Sequence, residues 1–190
     1  MHIWVGLGNP GAQYALNRHN VGFMAMDVMA EIHGFDPWRS RFQGWASEGR
    51  IGGIKLLLLK PATFMNESGR SIGEAARFFK LEPGDITVFH DELDLAPFKV
   101  KVKTGGGTAG HNGLRSTEAH IGNAFRRVRL GIGHPGHKDR VSPHVLGNYA
   151  KAEMDPLADM LGAVAAEAPW LASTDDARFM NEVARRLQDE

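Results

Sequence analysis

The chain has 190 residues, 43% of them hydrophobic, and its 22 basic side chains balance its 22 acidic ones, which predicts one domain over residues 1–190 with a single core. Because it contains no cysteine, a disulfide framework, a thiol nucleophile and a cysteine-ligated zinc site are excluded, and a cytoplasmic protein is expected. The first residues lack the pattern of a signal peptide, and the apolar stretch near Ile54 to Leu59 is too short to cross a bilayer, so we expect no association with a membrane.

Hydrophobic periodicity, together with the positions of glycine and proline, predicts strands that are interspersed with helices. Strands are expected at residues 2–7, 45–51, 54–60, 86–90, 98–103 and 127–132. Helices are expected from residue 21 up to Gly34 and at residues 66–80, 114–121, 153–166 and 175–187. Gly52 and Gly53 form a two-residue hairpin turn between the second and third strands. This order indicates an α/β fold in which a twisted mixed β-sheet is flanked by helices on both faces.

The turn after the first strand, residues 6–11, has three glycines at the spacing of a dinucleotide-binding fingerprint. That fingerprint needs a helix that starts at the turn and an acidic residue about 20 positions later. Here Pro10 and a polar run up to Asn20 follow, and the nearest acid, Asp27, falls inside the predicted helix. We therefore expect no nucleotide cofactor. The turn instead presents Asn9 at the end of a strand, where ligands meet open α/β sheets.

His19 stands just before the first predicted helix, where a histidine is commonly a cap or a surface residue. With no cysteine and no Gly-x-Ser-x-Gly elbow, histidine is the remaining natural acid–base group. Asp91 follows a buried strand and could orient one imidazole nitrogen, so that the other takes a proton from water. The alternative for Asp91, Glu92 and Asp94 is a solvated loop or a metal site. The multi-histidine spacing of zinc hydrolases is absent, so no metal is expected.

Two further segments place an asparagine near the start of a predicted helix. Asn66 ends the run Thr63-Phe64-Met65-Asn66, where a plain helix cap is the alternative. Asn112 lies in the glycine-rich run from Gly105 to Gly113, which lacks the ending of a P-loop. The backbone amides of this run could bind a phosphate or allow a nucleotide to approach, and a surface loop without a ligand is the alternative.

The balanced net charge conceals an uneven distribution along the chain. Residues 99–140 contain nine Lys and Arg against two acids, whereas residues 151–190 contain four against nine. In the predicted strand 98–103, Lys99, Lys101 and Lys103 alternate with apolar residues and so share one face. A local positive field attracts phosphates, and an ordinary solvated surface is the alternative.

Six motifs then occur in a fixed order along the chain. They are Gly-Leu-Gly-Asn-Pro-Gly at 6–11, followed by Tyr14; Arg-His-Asn-Val-Gly at 18–22; Lys-Pro-x-Thr-Phe-Met-Asn-x-Ser-Gly at 60–69; His-Asp-Glu-Leu-Asp at 90–94; Gly-His-Asn-Gly-Leu at 110–114; and Arg-x-Gly-Ile-Gly-His-Pro at 129–135. In this order they resemble the bacterial-type peptidyl-tRNA hydrolase family. The resemblance covers nearly the whole chain and weakens after about residue 150.

The resemblance implies hydrolysis of the ester between the peptide and the 3′ ribose of tRNA, in peptidyl-tRNA that has left the ribosome. It implies a monomer that needs no cofactor and no metal. The catalytic residues that it implies are His19 as general base, Asp91 as its partner, Asn9 and Asn112. The substrate and tRNA contacts that it implies are Tyr14, Phe64, Met65, Asn66, His111, Lys101, Lys103, Arg127 and Arg129. The alternative is a non-catalytic RNA-binding relative of the same fold, which would have no use for His19 and Asp91.

Overall fold

The computed structural model describes residues 1–188, in which seven β-strands form one sheet and seven α-helices surround it. The strands are β1 His2–Gly6, β2 Arg39–Arg41, β3 Gly44–Ile51, β4 Ile54–Pro61, β5 Ile86–Glu92, β6 Val100–Thr104 and β7 Arg126–Gly131. The helices are α1 Val21–Ile32, α2 Ser68–Phe78, α3 Asn112–Ile121, α4 Val141–Val145, α5 Met154–Ala166, α6 Ala168–Ala172 and α7 Asp176–Gln188. The strand order across the sheet is β2-β3-β4-β1-β5-β7-β6.

The centre of the sheet is parallel and its edges are antiparallel. β1 runs parallel to β4 and β5, and β7 runs parallel to β5. β3 is antiparallel to β2 and β4, and β6 is antiparallel to β7. Parallel strands are covered on both faces and therefore have unbroken apolar runs, which is why the four leucines at 56–59 of β4 are fully buried. The structure confirms the predicted α/β fold with a mixed sheet.

The helices pack on the sheet through two apolar cores, one on each face, where the sequence predicted a single core. On one face α1, α5 and α7 pack over the strands, with Met26 and Phe179 fully buried. On the other face α2 and α3 cover the sheet, and Ile72 is fully buried there. Side chains alternate along a strand, so Trp4 of β1 belongs to the first core and Val5 to the second. The prediction of helices on both faces is confirmed.

Several predicted boundaries differ from the observed ones for local reasons. β6 begins at Val100 and not at residue 98, because Phe98 has a left-handed backbone (φ 68°) and its amide donates to the carbonyl of Gly131. The sequence patterns miss β2, α4 and α6, whose three to five residues are too few to show a period. The predicted domain ends at residue 190, two residues beyond the described part. Within residues 1–188, no helix combines the length and the hydrophobicity that a bilayer crossing requires.

The glycine-rich turn after β1 does not open a helix. Ala12–Tyr14 and Arg18–Asn20 are 3-10 turns, and α1 begins only at Val21. Gly11 has φ 112° and ψ 146°, a positive-φ conformation that is not helical and that favours glycine. A dinucleotide fingerprint requires the helix to start at the turn, so this segment is not one.

Candidate active site

A cavity of about 580 Å³ opens at the edge of the sheet where the parallel strands end, as expected for a ligand site of an open α/β sheet. Asn9 follows β1, Asp91 lies near the end of β5, and His19 lies in the 3-10 turn before α1. The other predicted site residues in the lining are Phe64, Met65, Asn66, His111 and Asn112. Residues distant in sequence, from four separate segments, therefore meet around one cavity.

His19 and Asp91 form a short hydrogen bond in the cavity wall, with His19 Nδ1 2.7 Å from Asp91 Oδ2. The Asp91 side chain is 2% exposed and the His19 side chain 12%. Burial would raise the pKa of the Asp91 carboxyl, but His111 and His19 hold that pKa well below its usual range. The ionised carboxylate accepts, so Nδ1 of His19 carries a proton. The lone pair of Nε2 is then available to take a proton from water.

His111 bonds to the other oxygen of the same carboxylate. Its Nε2 lies 2.7 Å from Asp91 Oδ1. Its Nδ1 caps α3 by accepting the backbone amides of Gly113 and Leu114 at 3.1 and 3.3 Å. An acceptor at Nδ1 leaves the proton on Nε2, so His111 donates to Asp91. Sequence reasoning predicted a substrate contact for His111 and missed this bond, because it joins residues 20 apart in sequence and the helix was predicted to begin only at residue 114.

The pKa values of His19 and His90, which both hydrogen-bond to Asp91, move in opposite directions. Burial lowers the pKa of His19, but the charge of Asp91 and the hydrogen bond to it outweigh this effect, so the pKa lies above its ordinary value. For His90, burial and the nearby His111 lower the pKa to about 3. His90 Nδ1 donates to the backbone carbonyl of Asp91 at 2.8 Å. His90 is therefore neutral at physiological pH, whereas the pKa of His19 lies above that of an ordinary imidazole.

The backbone and the side chain of Asn9 are both held in place. The side-chain oxygen of Asn20 accepts the backbone amide of Asn9 at 2.9 Å, and the side-chain NH2 group of Asn20 donates to the backbone carbonyl of Asn9 at 2.9 Å. The Asn9 side-chain oxygen accepts the backbone amide of Met65 at 2.7 Å. This bond assigns the orientation of the carboxamide, because a backbone amide can only donate. The NH2 group of Asn9 is then the group left to donate into the cavity.

Asn66 and Asn112 reach the cavity from the starts of α2 and α3 and are both exposed. The two helix starts are joined by a hydrogen bond from the Gly69 amide to Ser116 Oγ, 2.8 Å long. A β-carbon at Gly69 would lie 2.1 Å from the Ser116 carbonyl oxygen, so only glycine allows this close approach. The packing of α2 against α3 thus sets the distance between the two asparagines.

The predicted basic residues lie on β6 and β7, in register with each other. Lys101 pairs with Arg129 and Lys103 with Arg127, so the four side chains share one face of the sheet. Lys101 and Lys103 are exposed, and Arg129 is half-buried. The exposed side chains on this face of β6 and β7 are therefore basic.

Two of the predicted contacts are placed differently from the others. Arg127 is only 2% exposed, and its guanidinium donates to the carbonyls of Gly107 and Gly106 at 2.5 and 2.9 Å. Both terminal nitrogens of the Arg127 guanidinium thus bond to the protein's own loop, and its contact with tRNA stays a prediction. Tyr14 is half-buried in the 3-10 turn Ala12–Tyr14 and is not among the residues that line the cavity.

The helix α4 supplies cavity residues that the sequence patterns do not predict. Val141, Ser142, Val145 and the following Leu146 line the cavity together with the asparagines. A five-residue helix carries no usable periodicity. The only signal in the sequence is its position after the last motif, which ends at Pro135.

One atom from each of His19, Asp91 and His111 lies within 4.8 Å of the others, a spacing that metal ligands also show. Two hydrogen bonds of 2.7 Å already join these groups, and the second nitrogen of His111 caps α3. The donor set therefore fits an acid–base group better than a metal centre.

Comparison with known proteins places the chain among close relatives. The peptidyl-tRNA hydrolase family model matches residues 3–190. A peptidyl-tRNA hydrolase of Rhizorhabdus wittichii is 80% identical over 189 residues, which is 100% of each chain. One of Erythrobacter litoralis is 73% identical over 99% of this chain and 100% of its own length. The crystal structure of peptidyl-tRNA hydrolase from Acinetobacter baumannii is 40% identical, with a TM-score of 0.90 over 96% of this chain and 94% of that one.

Proposed function

Since the chain belongs to the peptidyl-tRNA hydrolase family, we propose that it hydrolyses peptidyl-tRNA with His19 as general base and Asp91 as its orienting partner. The observation that carries this assignment is the 2.7 Å bond between His19 Nδ1 and Asp91 Oδ2. It holds the imidazole in the tautomer whose Nε2 lone pair can accept a proton. Asn9, Asn66 and Asn112 surround the same cavity and supply neutral polar groups for the substrate.

In the proposed reaction, His19 Nε2 takes a proton from water as the water oxygen bonds to the ester carbonyl carbon. The carbonyl oxygen becomes an oxyanion, which the NH2 group of Asn9 or Asn112 stabilises. Collapse of this intermediate breaks the bond between the carbonyl carbon and the ribose oxygen. The proton on His19 then passes to the ribose oxygen, so that free tRNA and a peptide carboxylic acid leave. Asp91 stays ionised throughout and stabilises the imidazolium.

The asparagines suit a substrate whose peptide varies. A carboxamide has both a donor and an acceptor, so it can hold a peptide backbone and leave the peptide side chains unread. Phe64, whose side chain lies at the cavity and is 58% exposed, offers an aromatic face for the tRNA end or the peptide. Met65 is buried and holds Asn9 through its amide, so its contribution is to position Asn9.

For the tRNA body, we propose that Lys101, Lys103 and Arg129 contact backbone phosphates. Contacts of this type supply affinity without reading sequence, which suits an enzyme that accepts many tRNAs. Arg127 is left out of this surface because its guanidinium is buried. We further propose a monomer that acts in the cytoplasm, where its substrate forms, and without a bound metal. An unchanged rate after EDTA treatment would support a reaction without a bound metal, and a monomeric mass in solution would support a monomer.

The decisive experiment measures hydrolysis of the ester bond of N-acetylaminoacyl-tRNA by the wild-type chain and by His19→Asn. General-base catalysis contributes about 10²- to 10⁴-fold, and we expect the variant to lose that much in kcat. The second candidate function, RNA binding without catalysis, predicts binding but no turnover by the wild-type chain. The buried His19–Asp91 pair argues against it, because a binding surface has no need for an imidazole oriented in this way.

A further inference from the structure

The residues that precede His19 are fastened to a distant part of the chain. Residues 16–18, the segment before the base, lie against residues 144–153, which we call the clamp segment. An isolated antiparallel bridge joins Asn17 to Asn148. Two backbone hydrogen bonds form this bridge, from Tyr149 N to Leu16 O (3.0 Å) and from Arg18 N to Gly147 O (3.0 Å), and Asn17 Nδ2 also donates to Asn148 Oδ1 (2.8 Å). Contacts between segments more than 120 residues apart in sequence therefore fix the backbone that enters the 3-10 turn of His19.

The Arg18 side chain also links the two segments. Its Nη1 donates to the His144 carbonyl at 3.2 Å and its Nη2 to Glu153 Oε1 at 3.0 Å. The same Glu153 oxygen accepts the Ala150 amide at 2.9 Å, so the carboxylate is itself held in place. The side chains of Arg18 and Glu153 are 17% and 28% exposed, and screening by water is limited there.

The clamp segment approaches Arg18 too closely for a side chain at Gly147. A β-carbon there would lie 2.9 Å from the Pro143 carbonyl oxygen and 3.0 Å from Arg18 Nη1. The Tyr149 ring, which is 5% exposed, adds a cation–π contact at 5.6 Å from the guanidinium carbon. The guanidinium is therefore fixed by contacts on several sides.

The clamp segment also overlaps the helix that forms part of the cavity wall. It begins within α4, whose Val141, Ser142 and Val145 line the cavity. The carbonyl that Arg18 holds belongs to His144 of the same helix. Arg18 is thus bonded to the wall that faces the substrate and is adjacent in sequence to the base.

We propose that Arg18 is a positioning residue that holds His19 against Asp91 and sets the position of α4 relative to it. This inference rests on the proposed function, because it concerns the geometry of that reaction. Asp91 from β5 and the His111 ring, 5.0 Å away, are the titratable groups that face His19. Neither contacts Arg18 through a hydrogen bond within residues 1–188, so Arg18 acts on the base through the position of the backbone.

The test compares Arg18→Met, Arg18→Lys and Glu153→Gln with a matched control, Arg126→Met. Arg126 also bonds to a carboxylate and to a backbone carbonyl, at the opposite end of the sheet: its Nη1 donates to Asp176 Oδ1 (2.8 Å) and to the Leu171 carbonyl (3.0 Å). For each variant, kcat and KM for N-acetylaminoacyl-tRNA are measured against pH, and the Tm by circular dichroism.

We expect Arg18→Met to lower kcat by roughly 10- to 100-fold, the range caused by small misplacements of a catalytic group. The acid limb of its pH profile should also move to lower pH, because a looser His19–Asp91 bond raises the pKa of His19 less. Arg18→Lys should recover part of the loss, since it keeps a charge beside Glu153, and Glu153→Gln should shift both quantities in the same direction by a smaller amount. Arg126→Met should lower Tm but leave kcat and the pH profile unchanged.

Wild-type kcat and pH profile in Arg18→Met and Glu153→Gln, with only a lower Tm, would overturn the inference and leave Arg18 a structural residue. Equal kinetic effects from Arg126→Met would overturn it as well. Absence of turnover by the wild-type chain is a different result, because it removes the proposed function before any variant is compared.

Discussion

His111 donates its Nε2 proton to Asp91 Oδ1 across 2.7 Å, while its other nitrogen accepts two backbone amides at the start of α3. Two histidines therefore bond to one buried carboxylate, but they are not equivalent. Both ring nitrogens of His111 are used inside the protein, whereas His19 uses only Nδ1 and keeps Nε2 for the cavity. The hydrogen bonds thus select His19 as the base and leave His111 to hold Asp91.

Replacement of His111 by alanine tests this division of roles. The variant loses a helix cap, which costs about 0.5–2 kcal/mol of unfolding free energy, and one of the two donors to Asp91. We expect kcat to fall by about tenfold, less than the loss of about 10²-fold or more expected for His19→Ala. Urea unfolding and steady-state kinetics on the same preparations measure both effects. A loss of activity as large as that of His19→Ala would assign His111 a direct part in the reaction.

The pH dependence follows from the direction of the His19 shift. A base must be neutral to act, so kcat/KM should rise with pH through the His19 pKa, with a midpoint above the ordinary 6.5. In Asp91→Asn the charge that raises this pKa is gone and burial, which lowers it, remains, so the midpoint should move below the wild-type value while kcat falls. His90, with a pKa of about 3, should not contribute to the profile. A wild-type midpoint below the ordinary value would contradict the assignment.

The bond from Met65 to the Asn9 oxygen makes a specific prediction for Asn9→Asp. The aspartate keeps the acceptor for the Met65 amide and nearly the same volume, but it loses the NH2 donor and adds a negative charge next to the developing oxyanion. Loss of one such donor costs about 10²- to 10³-fold in kcat, with little change in Tm. Asn181→Asp, the same chemical change at an exposed position of α7, is the control. Retained activity in Asn9→Asp would show that the donor is not needed.

Strand patterns indicated that Asn9 and Asp91 lie at the same edge of the sheet, and the reason is geometric. Asn9 follows β1 and Asp91 lies near the end of β5, and the carboxyl ends of parallel strands meet at one edge of the sheet. The His111–Asp91 bond and the contacts of Arg18 with residues 144–153 depend on packing between distant segments, which no local pattern encodes. Arg127 shows the limit most clearly. Its face of β7 is predictable from alternation, but the loop that covers it is not.

The exposed basic residues should contribute binding energy that depends on salt. Lys101→Ala combined with Arg129→Ala removes two proposed phosphate contacts, and each contact contributes a slope of about one in log K against log salt. We expect weaker binding of tRNA, a shallower salt dependence and nearly unchanged hydrolysis of a minimal ester substrate. Lys55→Ala, an exposed lysine of β4, should leave all three unchanged. An equal loss on the tRNA substrate and on the minimal ester would contradict this role.

Arg127→Met separates the buried arginine from that surface. In the wild-type structure its guanidinium satisfies the carbonyls of Gly106 and Gly107 and packs on the Phe125 ring, 4.3 Å from the ring centre. Methionine fills part of the space but leaves those carbonyls without donors, which costs about 1–3 kcal/mol of unfolding free energy. Because this arginine offers no donor to solvent, the salt slope of tRNA binding should match that of the wild type, in contrast to Arg129→Ala. Urea unfolding and salt titration of Arg127→Met and Arg129→Ala test this expectation: a shallower slope with unchanged stability in Arg127→Met would support the tRNA contact that the family resemblance implies for Arg127.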